Sequence, residues 1–293
     1  MKTYCKLFLT LFLFTCYTIS NAFAQKLHTQ NYKTVADMYK AFQYVPGKKI
    51  ISGHRGTIEQ GLPENSIPAF EAVLRHTPAI FEIDPRLTKD SIPVLLHDAD
   101  LERVTNGKGK VSDYTWKDLK KLKLKDHAGN VTPYRINTLD EVIEWAKGKT
   151  ILNLDKKDLP MEMTAGIIKK HNAYNWVWVT VHHVDQAKFY LEKNPDQYMS
   201  MHIKDQSALD KFKSSGLPYN RMIVYIGPEI KEANQQMYAF FHAKGVMCMI
   251  STAPTYDKLS SKEARAERYR AVFEDGASIL ESDLPVEVSQ ALR

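Results

Sequence analysis

Polar side chains that could act on a phosphate are concentrated in one early stretch of the chain. His54 and Arg55 follow a short apolar run, Glu82 and Asp84 are separated by one residue, and His97 ends a further apolar run. Histidine titrates near neutrality and can transfer protons, whereas the planar donors of arginine match phosphate oxygens. Because α/β enzymes assemble their active sites at strand ends, these positions indicate an enzyme that acts on a phosphate.

The two acids Glu82 and Asp84 point to the same face if their segment is a strand, because side chains alternate there. Two neighbouring carboxylates repel each other unless a cation lies between them, and oxygen ligands suit Mg²⁺ or Ca²⁺. Asp155 ends a later apolar run and could add a third oxygen, with Lys157 two residues further on the same side. Two solvated acids, and a plain Asp155–Lys157 ion pair, are the alternatives.

Eight short apolar runs recur at fairly even spacing, and several are apolar throughout instead of alternating. This pattern is typical of parallel strands covered on both faces. Strand–helix alternation over this length predicts a (β/α)₈ TIM barrel; an open doubly wound sheet would alternate similarly, but we find no glycine-rich dinucleotide turn. The predicted strands are Lys49–Gly53, Ala79–Asp84, Thr150–Asp155, Trp176–Val181, Tyr198–Ile203, Met222–Ile226, Val246–Ile250 and Ser278–Glu281, and the predicted helices are Val35–Phe42, Ser66–His76, Thr138–Ala146, Met161–His171, Asp185–Lys193, Gln206–Ser215, Lys231–Lys244 and Ser261–Asp275.

The apolar run Pro93–His97 breaks this alternation. It follows the strand Ala79–Asp84 too closely for a parallel crossover, which needs about a dozen residues. We therefore expect it to fold back as a hairpin through the turn Thr88–Ser91. The following segment is rich in Lys, Asp and Gly and contains a tight turn at Asn106–Gly109. We interpret residues 85–135 as a small insertion at the barrel mouth.

The N-terminal segment has the pattern of a cleaved export signal. Lys2 and Lys6 precede the apolar run Leu7–Tyr17, and Ala22–Ala24 supplies a small-x-small cleavage pattern. The apolar run is shorter than the ~20 residues of a membrane-spanning helix. We expect a signal peptide over residues 1–24 and a periplasmic or secreted protein without stable membrane insertion. A rival interpretation makes Cys16 a lipid-attachment site, but the apolar run continues past it.

Charge and cysteine content narrow the classes of function and fold that remain. Without residues 1–24, which carry two lysines and no acid, the net charge falls from +6 to +4, and no basic run with interleaved aromatics favours nucleic-acid binding. Cys248 is then the one cysteine left in the sequence, which predicts a buried core thiol and no internal disulfide. We expect residues 25–293 to form a single domain that is large enough to be stable without cross-links. No feature predicts a protein partner.

Five sequence blocks follow one another in a specific order and spacing. They are His54-Arg55-Gly56, Pro63-Glu64-Asn65-Ser66 with Ala69-Phe70, Glu82-x-Asp84, Thr88-x-Asp90-x-x-Pro93-Val94 with His97-Asp98, and Leu101-x-Arg103-x-Thr105-Asn106-Gly107. Together they resemble the glycerophosphodiester phosphodiesterase family over residues 50–160. Later segments are similar to that family's Asn-x-Glu-x-Lys strand and Thr-Asp-x-Pro ending, namely Asn153-x-Asp155-x-Lys157 and Glu281-Ser282-Asp283-Leu284-Pro285.

The resemblance implies a TIM barrel that uses one divalent cation, Ca²⁺ or Mg²⁺, to hydrolyse glycerophosphodiesters to glycerol phosphate and an alcohol. It also implies that a neighbouring substrate hydroxyl attacks phosphorus to give a cyclic phosphate, which water then opens. The implied roles are a general acid–base pair of His54 and His97, phosphate binding by Arg55 and Lys157, and cation binding by Glu82, Asp84 and Asp155.

The sequence departs from the family pattern at two informative places. Asp155 stands where the family usually has glutamate, so its carboxylate reaches about one methylene less far. The strand Gly245–Ile250 lacks the family's Trp-Thr-Val-Asn ending, so we expect different residues to recognise the leaving group or the glycerol. Other strand ends offer candidate specificity residues that fit a structural role equally well, namely His182, His183, His202, Lys204 and Tyr225.

Two other functions remain open from the sequence. One is a barrel of the phosphodiesterase or phospholipase type that acts on an intact lipid or on an inositol-type headgroup; an exposed apolar rim at the mouth would favour the lipid. The other is a catalytically inactive binding protein, which the presence of every expected ionisable group disfavours. Glu64 and Asn65 are expected to start the first barrel helix, with Asn65 or Ser66 as its cap.

Overall fold

Eight parallel strands close into a barrel surrounded by helices in the computed structural model, which describes residues 26–293. The predicted (β/α)₈ barrel is thereby confirmed, whereas the predicted signal peptide and Cys16 lie outside the described residues. The strands are β1 (Ile50–His54), β2 (Ile80–Ile83), β3 (Pro85–Leu87), β4 (Pro93–Leu95), β5 (Leu152–Leu154), β6 (Val177–Val181), β7 (Met199–His202), β8 (Met222–Gly227), β9 (Cys248–Ser251) and β10 (Ile279–Ser282).

Strand order around the barrel follows the chain except for the hairpin. Going round from β1, the order is β2, β5, β6, β7, β8, β9 and β10, and β10 pairs in parallel with β1 to close the ring. Strands such as β6 are buried at every residue, which explains their mostly apolar sequence. The closure places the first and last strands side by side, with Gly53 opposite Ser282.

Helices cover the outside of the barrel, and several begin at capping residues that the sequence supplies. Ser66 accepts a hydrogen bond from the Ala69 N–H and caps the first barrel helix, as expected for one of the two candidates. The helices are α1 (Val35–Ala41), α2 (Ile67–Leu74), α3 (Trp116–Leu119), α4 (Leu139–Ala146), α5 (Met161–His171), α6 (Val184–Lys193), α7 (Gln206–Lys213), α8 (Asn234–His242), α9 (Lys262–Asp275) and α10 (Pro285–Ala291). Helices α3 and α10 were not predicted.

The predicted hairpin is confirmed, because β3 and β4 pair antiparallel with Pro85 opposite Leu95. Its turn includes Ser91 in the left-handed region at φ 60°. The segment after β4 packs on a small hydrophobic cluster of its own, which is separate from the barrel core. The buried members of this cluster are Val94, Leu96, Leu101, Val104, Val111, Leu119, Leu124 and Ile136.

Aromatic packing fills part of the barrel core. Trp178 is fully buried and meets Phe42 edge-on at 4.4 Å between ring centroids, with Tyr198 at 4.7 Å. Trp178 therefore packs the barrel core and does not line the cavity. Cys248 is a buried thiol as predicted, and burial raises its pKa. Among residues 26–293, no helix combines the length and apolar character needed to cross a bilayer.

Candidate active site

One cavity of about 480 Å³ opens among the strand ends of the barrel. Its lining is dominated by charged and hydrogen-bonding side chains, with few apolar ones. Every barrel strand, or the residue just after it, contributes to the wall, as expected for a TIM-barrel active site. The strand-borne polar lining residues are His54, Glu82, Asn153, Asp155, Thr180, Ser200, His202, Tyr225, Ser251, Glu281 and Asp283.

Three carboxylates meet where β2 lies beside β5. Glu82, Asp84 and Asp155 each offer an oxygen within 4.8 Å of the others. Glu82 and Asp84 are 6% and 0% exposed, and Oε2 of Glu82 has no hydrogen-bond partner. Burial, followed by the charges of Asp84 and Asp155, raises the pKa of Glu82 well above its usual value. A buried carboxylate cluster of this kind is stabilised by a bound cation.

Asp84 is held by partners from three segments. Asn65 donates its amide to Oδ2 at 2.7 Å and accepts the Asp84 N–H at 3.0 Å. Arg55 Nε lies 3.1 Å from Oδ2, and Lys157 Nζ lies 2.9 Å from Oδ1. Burial opposes ionisation of Asp84, but the charges of Arg55 and Lys157 outweigh it and lower the pKa. Asp84 therefore stays ionised in the barrel wall.

Lys157 bridges two of the three acids, since its Nζ also lies 2.5 Å from Oδ2 of Asp155. Burial works against the ammonium charge, yet Asp84 and Asp155 raise the pKa of Lys157 above its usual value. The plain ion pair considered from the sequence is thus present. It includes Asp84 as well, so the cation and the acids belong to one cluster.

His54 bonds to an acid from the far end of the chain. Its Nδ1 lies 2.7 Å from Oδ1 of Asp283, just after β10, and its Nε2 lies 3.9 Å from Oε2 of Glu82. Burial disfavours the charged imidazolium, but the hydrogen bond to Asp283 and the charge of Glu281 outweigh burial and raise the pKa of His54. The ring therefore lies between Asp283 and Glu82, which is one of the three clustered acids.

His97 is held in a similar way by its sequence neighbour. Its Nδ1 lies 2.7 Å from Oδ1 of Asp98, and Asp98 accepts two hydrogen bonds from Arg103 at 2.6 and 3.0 Å. Arg103 also donates two 2.8 Å bonds to Glu64, whose Oε1 lies 3.4 Å from Arg55 Nη1. A continuous chain of charged contacts therefore joins His97 to Arg55. His97 itself is not among the lining residues of the cavity.

A model of the glycerophosphoryl diester phosphodiesterase family matches residues 54–271 of the chain. The chain belongs to this family. Its structure is similar to that of a glycerophosphoryl diester phosphodiesterase from Parabacteroides distasonis, with 49% identity and a TM-score of 0.89 over 91% of this chain and 94% of that chain. It also shares the fold of an Oleispira antarctica phosphodiesterase, at 17% identity and a TM-score of 0.66 over 87% of this chain and 98% of that one.

Curated members of the family align with part of the chain. A glycerophosphodiester phosphodiesterase of Caldanaerobacter subterraneus subsp. tengcongensis is 35% identical over 122 residues, which are 41% of this chain and 47% of that protein. The chain spans about half the length of the curated relatives that it matches first. The family-model match, over residues 54–271, includes the three acids and both histidines.

Most residues predicted for this family site lie together. Glu82, Asp84 and Asp155 form the acid cluster with Arg55 and Lys157 against it, and His54 faces Glu82. Asn65 was expected near the helix start, but at φ 55° it is left-handed and its side chain turns to Asp84. Sequence reasoning also missed the roles of Arg103 and Asp283. For Asp283 a signal existed, because a closed barrel makes its first and last strands neighbours.

Four of the five candidate specificity residues of this family member form one strip at the ends of β6, β7 and β8. The rings of His182 and His202 meet at 4.3 Å, those of His202 and Tyr225 at 4.6 Å, and Lys204 Nζ lies 5.5 Å above Tyr225. Burial, followed by the charges of His182 and Lys204, lowers the pKa of His202 to about 3. The strip is adjacent to the acids, since His182 Nε2 lies 3.9 Å from Asp155 Oδ1.

Proposed function

We propose that this protein is a phosphoric diester hydrolase that cleaves glycerophosphodiesters into glycerol phosphate and an alcohol. The observation that carries the proposal is the meeting of Glu82, Asp84 and Asp155 with Arg55 and Lys157 at the cavity that His54 also lines. Membership of the glycerophosphoryl diester phosphodiesterase family supports the same activity. The polar lining favours a small water-soluble headgroup over an acyl chain, so an intact lipid is disfavoured.

The acid cluster fits a divalent cation. Three carboxylate oxygens lie within 4.8 Å of one another, and the buried Oε2 of Glu82 lacks a partner. Oxygen ligands suit Mg²⁺ and Ca²⁺ alike, and Asp155 serves here in place of the longer glutamate. A cation bound by Glu82, Asp84 and Asp155 would polarise the phosphoryl oxygens and offset negative charge that develops on them.

The remaining residues of the proposed site handle protons and charge. His54 and His97 form the acid–base pair: one accepts the proton of the substrate hydroxyl as it bonds to phosphorus, and the other donates a proton to the leaving alcohol oxygen as its P–O bond breaks. Water then opens the resulting cyclic phosphate to glycerol phosphate. Arg55 and Lys157 place two positive charges beside Asp84, where they can bind the phosphate oxygens. Each group therefore acts at the phosphodiester from the rim of the barrel or from the insertion.

Hydrolysis of a panel of glycerophosphodiesters tests the proposal. The purified protein is assayed on the choline, ethanolamine, serine and inositol derivatives after chelation and again with added Mg²⁺ or Ca²⁺. We expect release of glycerol phosphate that depends on the cation and is abolished by Glu82→Gln. Glu287→Gln is the matched control, because Glu287 pairs with Arg265 outside the cavity. No hydrolysis of any panel member with either cation would reject the proposal.

We also propose that the protein is exported, with residues 1–24 as its cleaved signal. The support is the lysine-flanked apolar run and the small residues that follow it. N-terminal sequencing of the protein recovered from fractionated cells is expected to begin at Gln25 in the periplasmic or extracellular fraction. A lipid-modified Cys16 at the N-terminus would favour the lipoprotein interpretation instead.

A further inference from the structure

Asp283 contacts His54, but the reaction described above assigns it no role. It follows β10, the strand that closes the barrel against β1, and it lines the cavity. We infer that Asp283 is a positioning residue that fixes the His54 ring through Nδ1 and thereby directs Nε2 into the active site. This inference rests on the proposed function and names a residue that the proposed reaction depends on.

The contact assigns separate tasks to the two ring nitrogens. Nδ1 of His54 lies 2.7 Å from Oδ1 of Asp283, whereas Nε2 points towards Glu82, with 3.9 Å to its Oε2. A carboxylate accepts, so Nδ1 carries a hydrogen in both protonation states of the ring. Nε2 is therefore the ring nitrogen that is left free for a substrate. It faces Glu82, one of the three acids beside which a phosphodiester would be bound.

Asp283 is itself held rigidly. Its backbone N–H donates to Oδ2 of Asp257 at 2.7 Å, and Lys258 Nζ lies 3.2 Å from its Oδ2. Asp257 is buried and accepts three further hydrogen bonds from side-chain hydroxyls. Those donors are Thr252 at 2.7 Å, Tyr269 at 2.9 Å and Ser282 at 2.8 Å. The Asp257 contact thus anchors the backbone of Asp283, and Lys258 pairs with Oδ2, the carboxylate oxygen that does not bond to His54.

A second histidine, His171, shows how an ordinary surface ion pair differs from the contact between His54 and Asp283. His171 bonds through Nε2 to Oδ1 of Asp140 at 2.5 Å, with Nδ1 2.6 Å from Glu144, so both of its nitrogens are occupied by acids on the helix surface. His54 has one nitrogen occupied in this way and the other facing the cavity. An aspartate that merely stabilised the fold would not need this asymmetry, and the difference defines a matched control.

The test compares Asp283→Asn with Asp140→Asn in the full-length protein, using a glycerophosphodiester that the wild type hydrolyses. An asparagine of the same shape can donate to Nδ1 and so release the ring to the other tautomer. We expect kcat to fall about 100-fold in Asp283→Asn, because small misplacements of a catalytic group cost this much, with KM within about threefold of wild type. Asp140→Asn is expected to keep the wild-type kcat.

A second readout does not depend on activity. Two-bond ¹H–¹⁵N spectra report which imidazole nitrogen carries hydrogen, and His54→Gln assigns the His54 signals. We expect Nδ1 to be protonated in the wild type and the tautomers to be mixed in Asp283→Asn. Wild-type kcat in a folded Asp283→Asn protein, or an unchanged His54 tautomer, would overturn the inference. A wild type that hydrolyses no glycerophosphodiester would instead overturn the proposed function, and the spectra would still test the His54 contact.

Discussion

Replacing Arg103 by methionine should separate the stability of the insertion from its effect on chemistry. Arg103 donates two hydrogen bonds to Asp98 and two to Glu64, at 2.6 to 3.0 Å. Its side chain is 46% exposed, so each pair is screened by water and contributes about 0.2–1 kcal/mol. With two such pairs, we expect Arg103→Met to lower the free energy of unfolding by about 0.4–2 kcal/mol.

The effect on turnover should be larger than this loss of stability implies. Without Arg103, Asp98 is no longer fixed when it holds His97, and Glu64 is free to turn towards Arg55. We expect kcat to fall about 10- to 100-fold, because a catalytic group and a phosphate-binding group are both displaced. Urea unfolding gives the stability and steady-state hydrolysis gives kcat. Cation affinity, measured by calorimetry, should change little, because Arg103 touches none of the three acids.

Arg265→Met is the matched control. Arg265 makes a bidentate pair with Glu287 at 2.8 Å for both bonds, between α9 and α10 and outside the cavity. We expect a comparable or larger loss of stability, since this pair is less exposed, but an unchanged kcat. If Arg103→Met kept its kcat within about twofold of wild type, the coupling of His97 to Arg55 through Arg103 would be refuted.

Three further substitutions test other parts of the structure. Asn65→Ala removes two hydrogen bonds to buried Asp84 and should cost about 2–4 kcal/mol in urea unfolding and weaken cation binding in calorimetry. Gly53→Ala should destabilise the barrel by about 1–3 kcal/mol, measured in the same way, because a Cβ there would lie 2.8 Å from a Phe81 ring carbon. Burial lowers the pKa of His242 to about 4, below its unfolded value; its contribution to stability is therefore present above pH 6.5 and lost as the pH falls towards 4. Thermal melts across that window should show a shallower fall for His242→Gln.

The barrel was predictable because its strands carry short, mostly apolar runs that alternate with helical segments. The acid cluster followed from the same pattern, since β2 and β5 are neighbours and Asp155 ends the second of them. Helix α10 could not be predicted in this way. It has only seven residues, and Val286 and Val288 alternate with polar residues as they would in a strand. Its burial comes from packing against β1 and α9, which a local pattern does not reveal.

The partners of individual site residues were less predictable than the residues themselves. Arg55 and Lys157 were predicted to bind phosphate, and both contact Asp84, from the end of β1 and the end of β5. Asparagine is a residue type that often caps helices, but the backbone of Asn65 is left-handed and Ser66 is the capping residue. Such assignments depend on side-chain contacts between distant segments. A motif gives the residue type at a strand end, whereas the tertiary structure decides what it bonds to.

The closure of the barrel also sets the order in which the site can form during folding. Glu82 and Asp155 lie on adjacent strands from the first half of the chain, so the acid cluster needs only that half. His54 and Asp283 are separated by 229 residues in sequence. Contacts at such separation form late, because the intervening chain must first be ordered. The acids can therefore assemble before the barrel closes, whereas His54 is oriented only after the last strand has docked against the first.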